Sequence, residues 1–274
     1  MYSREVPTAP TPSGSIETAV HEGVLRIVLN RPARRNSLDV AAVRDLVAVL
    51  ESAATDDALR VIVIEGAGDH FCSGADWVAS NTAGTRPRTG SVQRRTPLQA
   101  HRLVHLLLEI QLPVVCVVRG WAAGLGFQLA LAADFTVAAD TARFWEPFLQ
   151  RGFTPDSGAT WLLPRLVGLA RTRELLLLGR KLTGAEAAAW GLIHAAVPPD
   201  ELDGAVAELV EELATGPTVA LGLAKRCINR NLEGSFLHAL ENESLALELS
   251  SRSADFREGL SAFTERRQPR FTGR

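Results

Sequence analysis

Cysteine is scarce in this chain: 274 residues hold three, Cys72, Cys116 and Cys227, and none stands in a Cys-x-x-Cys pair. So small and odd a set argues against a disulfide framework and a thiolate zinc knot, and it suits a reducing, cytoplasmic setting. A charge excess is also missing. The formal net charge is −2, which leaves no basic field to hold nucleic acid. Long hydrophobic stretches are absent too. Runs such as residues 114–118 fall far short of the roughly 20 residues that cross a bilayer, so no membrane partner is expected. The opening MYSREVPTAPTPSGS lacks the apolar centre of a secretory signal. Its Pro7, Pro10, Pro12 and Gly14 predict a frayed, disordered tail over residues 1–15.

What remains is a soluble globular composition, with 46% hydrophobic and 22% charged residues. A chain of this length can bury a sizeable core without staples. Residues 24–29 (VLRIVL) read as a strand that stops at Asn30-Arg31-Pro32. Asp39 caps a helix predicted over 40–54, with Val43, Leu46, Val47 and Leu50 on one face. Residues 60–65, 114–119 and 135–138 read as further strands, and strands alternating with helices define α/β construction. After about Ala170 the strand signal fades and the periodicity is helical. The expected organisation is therefore an α/β core over 16–200 and a helical C-terminal region over 201–274. Residues 80–97 (SNTAGTRPRTGSVQRRTP) are nearly devoid of apolar side chains and carry Arg86, Arg88, Arg94 and Arg95. They read as a mobile loop, either a solvated basic insertion or a lid that contacts phosphate.

Two small-residue turns each follow a strand: Phe71-Cys72-Ser73-Gly74-Ala75-Asp76 and Gly120-Trp121-Ala122-Ala123-Gly124-Leu125-Gly126. Turns of this kind can aim backbone N–H groups into a cleft, where a pair of donors stabilises an enolate or a tetrahedral oxyanion. Glycine permits the close backbone approach this requires. Taken singly, either turn equally suits strand-to-helix packing.

Together, with Asn30-Arg31-Pro32, Gly152-Phe153-Thr154-Pro155-Asp156-Ser157-Gly158, Trp161-Leu162-Leu163-Pro164-Arg165 and Trp190-Gly191-Leu192-Ile193, these turns resemble the crotonase (enoyl-CoA hydratase/isomerase) superfamily. The closing segment from Arg252 to Gly259 and Phe271-Thr272-Gly273 is similar to its 1,2-epoxyphenylacetyl-CoA isomerase branch. The resemblance implies a crotonase-type spiral of ββα units with a helical C-terminal trimerisation region. It also implies a homotrimer or dimer of trimers. The substrate would be an acyl-CoA thioester, with no metal or redox cofactor because CoA enters as part of the substrate. By position, the amides of Ala75 and Leu125 would hold the thioester oxygen, although the family usually has glycine where Leu125 stands. Ser73, Gly74, Asp76 and Gly124 flank these donors and are expected to line the substrate site. Arg31, Arg34 and Arg35 follow the first strand, where family members hold CoA phosphates; plain surface charge is the alternative.

The departures from the family pattern bear on mechanism. Hydratases of this family use two glutamates to place and deprotonate water, and those positions fall on Gln128 and Phe148. An amide is not a base and a phenyl ring exchanges no protons. Glu146 lies two residues from the second position. Asp156 is the remaining acid/base candidate. Its own surroundings suggest an N-cap for a helix opening at Ser157, whereas the resemblance implies a proton shuttle. The resulting expectation is an acyl-CoA isomerase. The alternatives are a hydratase with another base, a hydrolytic dehalogenase using Asp156 and His101, and a CoA-binding relative without catalysis.

His101, His105 and Glu109 recur every four residues on a helix predicted over 99–110, as a polar face, a metal site or, for His101, a base. No metal site is expected overall. Cys72 reads as a small packing residue. Trp121, Phe144, Trp145, Phe148 and Trp161 read mostly as core, with one or two available to line an acyl pocket. Phe263 and Arg266 read as surface helix or as the border of an adenine site between subunits.

Overall fold

A computed structural model describes residues 9–76 and 88–274. The strands in chain order are β1 Ala9–Pro10, β2 Ile16–His21, β3 Val24–Leu29, β4 Val61–Gly66, β5 Val114–Val118, β6 Trp121–Ala123, β7 Phe135–Ala139, β8 Arg143–Trp145, β9 Lys181–Thr183 and β10 Ala195–Val197. The helices are α1 Val40–Ala53, α2 Ser91–Arg95, α3 Ala100–Glu109, α4 Leu125–Ala132, α5 Ala159–Leu177, α6 Gly184–Ala189, α7 Leu202–Thr215, α8 Thr218–Asn231, α9 Phe236–Ser250 and α10 Ala254–Glu265. One sheet runs β1-β2-β3-β4-β5-β7-β10 and a small one runs β6-β8-β9. Only helices follow from Leu202 onward.

The sheet grows from local rules. β2 and β3 form an antiparallel hairpin with His21 opposite Val24. Its two-residue turn, Glu22 and Gly23, has φ of 49° and 78°, the double left-handed geometry that matches strand twist. From β3 onward the pairing is parallel through β4, β5, β7 and β10. Central parallel strands are covered on both faces, so β5 reads Val-Val-Cys-Val-Val and is buried at every residue. α1 starts where Asp39 accepts the Ala42 amide at 2.9 Å. α4 is buried at all eight residues, and Gln128 is its one polar side chain.

Several expectations need correction. Residues 1–8 of the expected tail lie outside the described residues, but residues 9–15 are anchored: β1 pairs with β2, and Ser13 N donates to Asp45 Oδ2 at 2.8 Å. Residues 80–87 of the expected mobile loop, with Arg86, also lie outside the described residues. The rest is not a loop, because α2 and a 3-10 turn over Thr96–Leu98 fill it. The late region expected to be helical also contains β9 and β10. The helical periodicity read from about Ala170 belongs to α5, which begins earlier, at Ala159, and bends at Gly168, which has φ 71°.

α8 is tied to the segments that lead into β5 and β7 by an ion pair whose lysine is buried and whose aspartate is partly exposed. Lys225 Nζ meets Asp134 Oδ2 at 2.7 Å and Leu112 O at 3.1 Å, and the same carboxylate oxygen accepts the Val114 amide at 2.8 Å. Removing Lys225 takes the charge-assisted hydrogen bond from a partly solvated carboxylate, a cost of about 1–3 kcal/mol. Lys225→Met is therefore expected to lower unfolding stability by about 1–3 kcal/mol in urea titration, with part of the loss recovered when Asp134→Asn is added. A neutral single substitution would show that the pair does not anchor α8.

Candidate active site

The two turns singled out in the sequence lie against one another. Cys72 N donates to Trp121 O and Ala123 N to Cys72 O, both at 2.9 Å, so the first turn runs beside β6. On its other side Leu38 N reaches Gly74 O at 2.9 Å and Asp76 N reaches Leu38 O at 2.8 Å. This register skips the Ala75 amide. Leu125 begins α4, where first-turn amides have no intrahelical acceptor. Among the described residues neither the Ala75 nor the Leu125 amide donates to another protein group. The contact is close enough to require glycine: Gly74 has φ 95°, and a Cβ there would stand 2.6 Å from Ala123 O and 3.4 Å from Leu125 N.

Ala75 and Leu125 both line a cavity of about 180 Å³, together with Ser73, Gly74, Asp76, Gly124, Phe148 and Asp156. Its apolar wall includes Val40, Val43, Val92 and Phe153. Phe148 packs edge-on to Phe153 with ring centroids 5.6 Å apart. The arrangement can seat an oxygen between two N–H donors, with a carboxylate in the same space.

Asp156 does not cap a helix. α5 begins at Ala159 rather than Ser157, and its N-cap is Gly158, with no side-chain capping bond. Asp156 lines the cavity instead, next to Ser157. Burial pushes its carboxyl above the usual range, opposed by the Ser157 bond and by the charge of His101. Ser157 itself is buried and held at φ 50°, a left-handed conformation costly for a residue with a side chain.

Other expected site residues lie elsewhere. Arg31 does not line the cavity; it is held by Ser37 O at 2.6 Å and faces Asp39 at 3.3 Å and Asp76 at 3.5 Å. Arg34 and Arg35 are exposed and also outside the lining, though Ser73 N donates to Arg35 O at 2.9 Å. Gln128 is sealed in the core, bonded to the equally buried Glu146. Of the five aromatics singled out, Phe148 alone lines the cavity; Phe144 packs on Phe127 in the core at 5.1 Å. His101 is exposed and outside the lining, and no cluster among the described residues suits a metal. Cys72 is fully buried, and burial pushes its thiol up to about 12, which suits packing rather than nucleophilic attack. Phe263 is 86% exposed.

Sequence analysis missed Arg151, Phe153 and the α2 wall with Val92. The apolar residue in an otherwise polar 88–96 segment was the available signal for that wall. Arg95 is the one arginine among those at 88, 94 and 95 that reaches the lining.

This sheet, its helical tail and the paired turns define a crotonase-fold protein with a backbone-donor site. Residues 19–274 match the profile of enoyl-CoA hydratase/isomerase, and the chain belongs to that family, whose members act on acyl-CoA thioesters. It is 40% identical over 258 residues to the 1,2-epoxyphenylacetyl-CoA isomerase of Escherichia coli (strain K12), covering 93% of this chain and 97% of that one. It is 34% identical to the 2,3-dehydroadipyl-CoA hydratase of the same organism, over 92% of this chain and 96% of the relative. The solved structure of an enoyl-CoA hydratase from Bacillus anthracis superposes with a TM-score of 0.87 at 31% identity, covering 95% of this chain and all of the other.

Gly74→Ala is expected to destabilise the fold by about 1–3 kcal/mol through strain and the crowded Ala123 carbonyl. It should also weaken acyl-CoA binding measured by calorimetry. Unchanged stability and affinity would show that the two turns do not need this contact.

Proposed function

We propose that the protein is an acyl-CoA isomerase: it stabilises a thioester enolate between the amides of Ala75 and Leu125 and shifts a double bond with Asp156 as proton shuttle. One observation carries this reading. A single cavity holds two amides without internal acceptors and a carboxylate whose affinity for protons is raised by burial. Polarising the thioester carbonyl makes the neighbouring C–H acidic, and the two N–H donors act where negative charge develops. A carboxylate with a raised pKa accepts a proton and returns it at a different carbon more readily than an unperturbed aspartate.

Hydration is the less favoured chemistry. Of the two positions that hold water in the family's hydratases, Gln128 is closed off from the cavity and Phe148 offers a phenyl ring to it. A hydrolytic alternative has one observation in its favour, the charge of His101 acting on Asp156. CoA arrives with the substrate, so no cofactor is invoked. The exposed Phe236, Leu240 and Leu247, which share one side of α9 by helical spacing, offer an apolar stripe suited to a homotrimer or dimer of trimers. A cytoplasmic setting agrees with three unpaired cysteines.

Asp156→Asn tests the assignment. Because Asp156 caps no helix, the melting temperature should hold, whereas α-proton exchange of an unsaturated acyl-CoA in deuterated water should fall by about 10²–10⁴. In the unsubstituted enzyme the exchange rate should rise as Asp156 ionises, with a midpoint above the ~3.9 of a free aspartate. Near-normal exchange in the variant would end the claim for Asp156. Loss of exchange with binding retained would separate the isomerase from a binding-only protein.

Crotonyl-CoA hydration supplies an independent check. Turnover is expected well below the ~10 per second of a typical efficient enzyme. A rate at or above that level would show that a water-activating base had been overlooked.

A further inference from the structure

Behind the cavity wall two fully buried polar side chains meet. Gln128 of α4 and Glu146, which follows β8, have no solvent exposure, and Gln128 Nε2 lies 2.5 Å from Glu146 Oε1. The remaining polar atoms of the pair, Gln128 Oε1 and Glu146 Oε2, have no hydrogen-bond partner among the described residues. If the carboxyl were ionised, both leftover atoms would be acceptors without donors. Each would then carry an uncompensated desolvation cost of about 1–3 kcal/mol. A single proton on Glu146 Oε2 removes the conflict. It makes Oε2 a donor, and Gln128 Oε1 is a buried acceptor that lacks one.

We propose that Glu146 is a protonated, uncharged positioning residue that closes a two-hydrogen-bond ring with Gln128 and so locks the chain entering the acyl wall to the helix that carries the Leu125 amide. Gln128 lies one helical turn beyond Leu125, and Glu146 directly precedes Pro147 and Phe148 of the cavity lining. The same two segments are tied a second time by Gly124 N donating to Trp145 O at 2.9 Å. The electrostatics agree. Burial, the larger cause, and the negative charge of Asp156 both favour the protonated carboxyl of Glu146, against the opposing bond from Gln128. Under the proposed isomerase chemistry, on which only this consequence rests, an uncharged Glu146 adds no second negative charge beside Asp156 to oppose the developing enolate.

Infrared difference spectroscopy of the wild type against Glu146→Gln reads the proton directly. The expected result at about pH 6–8, far above the ~4.3 of a free glutamate, is a carbonyl stretch of a protonated carboxylic acid that the variant lacks. A carboxylate band in its place would overturn the proposal whether or not the enzyme is an isomerase. Glutamine offers the same donor and acceptor as a protonated glutamate, so Glu146→Gln should keep α-proton exchange within about threefold, because the ring survives. Glu146→Leu should lose on the order of 10–100-fold through misplacement of the amide donor. A loss of 10² or more in a folded Glu146→Gln, the size expected for removal of a proton-transfer group, would show that the proton itself moves in the reaction. It would end the positioning role. Should the leucine variant fail to fold, the spectroscopic result and the glutamine variant still decide.

Discussion

Two backbone amides without internal acceptors, set beside each other on one cavity, are the constraint around which this fold is arranged. A folded chain rarely leaves an N–H unpaired, because the lost hydration is not returned. Here both cases follow from topology. Ala75 is skipped because its neighbours alone satisfy the bridge to Leu38, and Leu125 is free because it opens a helix. Bringing them together requires the turn after β4 to touch the turn after β6, with almost no volume between. Gly74 at φ 95° and Gly126, where a Cβ would stand 2.4 Å from Cys72 O, meet that demand. The leucine at 125 is compatible because the donor is main chain and the residue as a whole is buried, 4% exposed.

Charge around the cavity is sorted by partner. Asp39 and Asp76 line it, but Arg31 stands 3.3 and 3.5 Å from their carboxylates. The arginine expected at a CoA phosphate is thus occupied with two carboxylates at the rim. Asp156 has only the Ser157 hydroxyl and the charge of His101 against its burial. Burial favours the protonated form of Asp156, and the left-handed backbone at Ser157 and Gly158 sets the start of the following helix beyond it.

The sequence made some of this legible and hid the rest for physical reasons. The strands near 61, 114 and 135 were visible because central parallel strands are apolar on both faces, the strand near 24 because of its alternating buried Leu25, Ile27 and Leu29, and α1 because Asp39 announces it. The strands β6, β8 and β9 have three residues each, too few to show a period, and owe their conformation to their neighbours. The wall formed by α2 was read as loop because its residues are mostly polar; Val92 gains its significance only by lining the same cavity as Val43 and Phe148. The paired turns, Asp156 and Phe148 were found at the cavity, whereas Gln128 and the three arginines were assigned to it by chain position and fold away from it.

Asp156 and Glu146 illustrate how far local spacing reaches. Asp-Ser-Gly before a helix has the form of a cap, yet positive φ at both Ser157 and Gly158 delays the helix to Ala159 and leaves the carboxylate free of it. Glu146 and Phe148 are two residues apart, which in a continuing strand would put them on one face. Pro147 and the helical conformation of Phe148, φ −54° and ψ −60°, break that alternation, so the phenyl ring lines the cavity while the carboxyl is sealed against Gln128. A base must reach the atom it deprotonates, and a carboxyl closed off in the core cannot. The division of labour proposed for the two acids follows from this access: the one open to the cavity is available for chemistry, and the sealed one serves the geometry of the donors.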